Sequence, residues 1–295
     1  MQANRTALPL GPQASFWLAA LGILLSTGMD GVAKHLSDSF GTLQIVWMRF
    51  ALMALLVAPV LVVMGLRLPA RAQLGAHMGR AALMMTTTAL FFFALGRLPL
   101  VDVFVLSFTA PVFTALFAAA LLGERVGGAT WGAIALALAG VAIILAGQGI
   151  EQGARRDVIA YAAALGAPVT YALGLVLLRF QTLRESLPVI VFTQSAMIAV
   201  VLALPVALTG ALPAPVHWPA IAALGVLSAM GYMAFVAGLR GLGAARFAVV
   251  EYTGLVWATL IGIVVFAEWP GALFWPGAAL VIAGCSIASR ARAPG

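Results

Sequence analysis

One carboxylate interrupts the apolar stretch RFAVVEYTGLVWATL at residues 246–260. Glu251 lies in a run that otherwise reads as a buried or membrane helix. An ionisable group at membrane depth is costly and marks a functional position by default, with an ammonium group or a proton as its natural partner. The competing reading is a side chain that snorkels to the headgroups or pairs with Arg246, five residues away. Asp30 and Lys34 stand four apart and share a helix face, as a pair or as a gate at the outer mouth. Arg49, between Met48 and Phe50, reads as structural. Glu124 and Glu268 close two apolar runs and read as loop ties, accepting hydrogen bonds from exposed amides at the start of the next helix.

Polar and aromatic side chains inside the apolar runs complete the candidate binding set. They are Thr86, Thr88, Ser107, Tyr171, Gln194 and Tyr232, with Phe108, Tyr252 and Trp257 able to stack a planar ligand. Hydroxyls in such runs also bond their own helix, and aromatics also fill cores. Pro111 and Pro168 fall inside runs, where proline removes a helical hydrogen bond and bends the chain. The three histidines, His35, His77 and His217, lie in separate segments. HExxH, GxSxG and P-loop patterns are absent from the sequence. No catalytic, cofactor or metal site is therefore expected, nor a built-in ATP motor, and enzyme is the weaker class.

The elements that must position these residues are membrane helices. Of 295 residues, 63% are hydrophobic and 8% charged, against about 25% charged in a soluble domain. Ten apolar runs are long enough to cross a bilayer. They fall near 15–33, 45–66, 81–97, 101–123, 128–147, 158–178, 188–208, 218–238, 245–266 and 272–289. The runs are apolar on every face, which argues against the alternation of a β-barrel wall. The first reads as an uncleaved helix, not a signal peptide. With the N-terminus inside, 11 Lys and Arg residues fall on the cytoplasmic side and 4 on the other, which predicts two cytoplasmic termini. The net charge of +7 serves orientation and contact with anionic lipid; it contains no cluster suited to nucleic acid. Trp17, Trp131, Trp218, Trp269 and Trp275 fit an interfacial belt.

A shift of 144 residues aligns 98–143 with 242–287 without a gap, and 13 of 46 positions are identical. Glu124 meets Glu268, Trp131 meets Trp275, and Gly140 meets Gly284. Glu251 meets Ser107, so the repeated fold does not require its charge. The expected fold is an all-α integral membrane protein of ten transmembrane helices, built as two five-helix repeats at 1–149 and 150–295. Five is odd, so the second repeat is inverted, the geometry by which many secondary transporters alternate access.

APVFTALFAAALLGERVGGATWGAIALALAG, at 110–140, carries Pro111, Gly123-Glu124-Arg125 and Trp131-Gly132. This pattern resembles helices four and five of the EamA type in the drug/metabolite transporter superfamily. MDGVAKHLSDSFGTLQIVWMRF, at 29–50, is also similar to that family. The second repeat departs from the pattern, with Leu255 in place of the proline and Trp269 after Glu268. The resemblance implies a bacterial inner-membrane carrier of small molecules without ATPase. Lipid already satisfies the exposed apolar surface, so a monomer is expected. The resemblance implies most directly an amino-acid exporter of the aromatic amino-acid exporter kind. An uptake carrier for S-adenosylmethionine or a riboflavin-like metabolite is the nearest rival. A non-transporting interaction or sensor protein is the alternative of another class.

Overall fold

The computed structural model describes residues 12–66, 68–70, 73–122, 128–151, 157–182, 186–210, 213–239 and 244–290. In a bilayer every backbone polar group needs an internal partner, and helices provide one within each segment. The first repeat comprises α1 (Pro12–Leu36), α2 (Thr42–Val63), α3 (Leu74–Leu95), α4 (Leu100–Ser107), α5 (Ala110–Leu122) and α6 (Gly128–Glu151). The second comprises α7 (Val158–Thr182), α8 (Leu187–Thr209), α9 (Trp218–Leu239), α10 (Ala244–Phe266) and α11 (Phe274–Arg290), with a 3₁₀ turn at Pro215–His217.

The fourth crossing is broken, where the sequence reads as one continuous run. It divides into α4 and α5 at Phe108–Thr109. Pro111 explains the break, since it has no N–H to give the Ser107 carbonyl. Thr109 restarts the chain: its carbonyl accepts from Val112 N at 3.0 Å, and its hydroxyl donates back to Leu106 O at 2.7 Å. Pro168 lies buried within α7, which continues through it.

Packing is reciprocal between the repeats. The 144-residue shift carries α1 to α7, α2 to α8, α3 to α9, α4–α5 to α10, and α6 to α11. Under that exchange α1 against α9 becomes α7 against α3, α1 against α10 becomes α7 against α5, and α2 against α9 becomes α8 against α3. Each of these pairs is in contact, as are the self-related pairs α2–α8 and α6–α11. The contacts therefore describe two inverted five-helix repeats.

Close approach along α1 and α9 depends on glycine. A Cβ at Gly22 would lie 2.3 Å from Phe235 N, and one at Gly238 would lie 2.4 Å from Ala19 N. The five tryptophans expected at the interface are all exposed, whereas Trp47 is half-buried and donates its Nε1 hydrogen to Ala199 O at 3.0 Å.

Candidate functional site

Two polar features lie between the repeats. The first ties them together at the membrane face where α1 ends and α11 begins. Lys34, in the last turn of α1, donates to Leu95 O, the last residue of α3, at 3.2 Å and to Leu98 O, in the turn before α4, at 2.6 Å. It also forms an ion pair with Glu268 at 2.7 Å. The other carboxylate oxygen of Glu268 accepts from Leu100 N, the first amide of α4, at 2.9 Å. One carboxylate thus satisfies an orphan helix amide and a cation together. Ala267, just before it, is left-handed at φ 54°. Glu268 N donates to Gly262 O at 2.9 Å and closes α10 there.

This arrangement departs from the expected partners. Lys34 turns to Glu268 in the other repeat, not to Asp30 one turn away on its own helix. Glu268 accepts a helix-start amide, as its chemistry suggests, but that amide belongs to α4 and not to the following helix.

The second feature is a charged centre. Asp30 on α1 is 9% exposed. By helical rise it lies about 9 Å below the end of α1 that bears Lys34. Arg49 on α2 lies about 10 Å below the same face, and the two charges attract one another. They form no ion pair, and neither makes a hydrogen bond among the described residues. The Arg49 guanidinium instead lies 5.5 Å from the Phe50 ring and 5.4 Å from the Phe92 ring. The Tyr232 hydroxyl on α9 lies in the field of both Arg49 and Arg80. Arg80 on α3 is buried and donates to Ile190 O on α8 at 3.2 Å. The sequence gives little sign of this role for Arg80, which borders a basic loop and reads as a membrane-face charge.

The other expected residues distribute as follows. Gln194 and Thr88 are buried. Thr86 falls on the exposed stripe of Gly75, Gly79 and Ala82, about 200° around α3 from Thr88, and does not share its environment. Ser107 bonds its own helix, donating to Val103 O at 2.8 Å. Phe108 lies half-buried at the break, and Tyr171 half-buried on α7. Trp257 Nε1 is buried without a partner among the described residues. Glu251 and Tyr252 belong to α10, but their side chains lie outside the described residues, as does that of Pro111. Glu124 lies outside them altogether.

Residues 14–146 and 158–290 each match the EamA-like transporter family. The pseudopaline exporter CntI from two strains of Pseudomonas aeruginosa is 26% identical over 278 residues, covering 93% of this chain and 95% of the relative. A crystal structure at 20% identity superposes with a TM-score of 0.64 over 94% of this chain and 96% of the other. That last likeness concerns the fold alone.

Proposed function

We propose that this chain, which belongs to the EamA-like transporter family and is a secondary transporter of small metabolites, carries amino acids outward across the bacterial inner membrane by alternating access. The protein is a multi-pass bacterial inner-membrane protein and a transporter, not an enzyme. The observation that carries the mechanism is reciprocal packing. The contacts of α1 with α9 and α10, and of α2 with α9, each have a counterpart related by repeat exchange, so two mirror-related openings are available to one structure.

The outward direction draws support from the relatives, which are named as exporters of pseudopaline. An amino-acid cargo suits an interior that offers both charges, hydroxyls and aromatic faces. In this reading Lys34 and Glu268 hold the far mouth shut and separate when it opens. Both termini face the cytoplasm, following the Lys and Arg bias. Glu251, Tyr252 and Trp257 on α10, with Ser107 and Phe108 near the break in α4–α5, are the proposed substrate-binding residues. One chain suffices for the cycle.

The test is flux. Pure protein in liposomes is supplied with aromatic and aliphatic amino acids, S-adenosylmethionine, riboflavin and nucleosides, and transport is followed by mass spectrometry. Saturable amino-acid flux above empty vesicles is expected, with at least a tenfold loss in Glu251→Gln. Flux of S-adenosylmethionine or riboflavin alone would replace the proposed cargo.

A further inference from the structure

The charged centre is unusual for what its members lack. A carboxylate and a guanidinium taken out of water normally meet in a bonded pair, because separated buried charges are costly. Asp30 and Arg49 stand at similar depth on α1 and α2, each within the other's field, yet form no ion pair with one another, and Arg49 Nε is buried without a partner among the described residues. The fold does not impose this arrangement. Repeat exchange carries Asp30 to Gly174 and Arg49 to Thr193, so the same helix positions in the other repeat bear no charge.

Aromatic packing leaves the guanidinium ready to bind. Phe50 and Phe92 approach Arg49 through ring contacts, which neutralise none of its in-plane N–H donors. A planar fork of such donors matches a carboxylate. Asp30 has only acceptor oxygens when ionised and matches an ammonium group. Both residues lie about 10 Å from one face, on two helices, α1 and α2, that each pack on α9.

We infer that Asp30 and Arg49 together form a receptor for a zwitterion, the carboxylate holding the ammonium and the guanidinium holding the carboxylate of one α-amino acid. This assignment gives both residues a binding role in place of a structural or gating one. It rests on the transporter reading above, and it specifies what that reading leaves open: recognition is of the amino-acid head, with the side chain a secondary determinant.

The experiment uses three pools of probes on the pure full-length protein. They are the twenty proteinogenic L-amino acids, their methyl esters, which lack the carboxylate charge, and their N-acetyl derivatives, which lack the ammonium. Binding is read by mass spectrometry of retained ligand, and the fold by thermal unfolding. The wild-type protein should bind members of the free pool at least tenfold more tightly than either derivative. In Arg49→Gln the methyl esters should bind as well as the parent acids. In Asp30→Asn the N-acetyl derivatives should do so. Equal wild-type affinity for all three pools would overturn the inference, as would variants that keep the wild-type preference. If a variant fails to fold, the wild-type comparison still decides. If the wild type retains none of the pools, the inference falls, and flux of a non-zwitterionic metabolite in the liposome panel would show that transport survives without it.

Discussion

The seam between α1 and α9 and its repeat mate between α7 and α3 occupy equivalent places but are built differently. In the first seam, Ser26 faces Gly231 so closely that a Cβ on the glycine would lie 2.8 Å from Ser26 Oγ. Their mates in the second seam are Thr170 and Thr87, whose hydroxyls share a hydrogen bond of 2.7 Å. Gly22 lies against the backbone of Phe235, whereas a Cβ on its mate Gly166 would meet only the flexible end of Leu90, at 3.3 Å. One seam is therefore backbone against backbone. The other is side chain against side chain, with a polar pin. Close backbone contact favours motion as a unit, and a side-chain seam can slip by rotamer changes. The same topology thus contains a stiff contact and a compliant one.

The largest expected effect breaks the stiff seam. Gly22→Ala places a methyl group where Phe235 backbone cannot yield, and should cost about 3 kcal/mol or more in thermal unfolding in detergent. Gly166→Ala, at the equivalent site, should change stability by less than about 1 kcal/mol, because helix propensity offsets the shift of Leu90. Equal costs would erase the distinction between the seams. Next comes the tie at the far mouth. A double-mutant cycle of Lys34→Met and Glu268→Gln should give a coupling of about 2 kcal/mol, as expected for a charge-assisted, partly buried pair. The smallest effect belongs to the pin. Thr87→Val and Thr170→Val should couple by about 0.6 kcal/mol, the average for hydrogen bonds between membrane helices.

The fold was legible in the sequence because the bilayer makes strong demands. Segments without water must be apolar and helical, so their lengths are visible as runs, and the repeat shows wherever Glu and Trp recur 144 residues apart. The break at Phe108–Thr109 was less visible. Pro111 announced a bend, but a hydroxyl that restarts the chain looks like any other threonine. The site was legible in kind more than in partnership. Asp30, Lys34 and Arg49 are conspicuous as charges in apolar surroundings, yet local spacing offers Asp30 as the partner of Lys34. The true partner is 234 positions away, beyond any helical periodicity. Thr86 and Thr88 are neighbours in the chain but face opposite ways, because two residues span more than half a helical turn.

Lys34 does more than bridge to Glu268: its other two hydrogen bonds hold the final carbonyl of α3, at Leu95, and that of Leu98 in the turn after it. That helix also carries Phe92 beside Arg49, Thr87 in the pin, and Arg80. The far mouth and the interior are thus mounted on a single shaft. Under the gating proposed above, any shift of α3 that follows release of the ammonium would be felt at all three of those interior contacts.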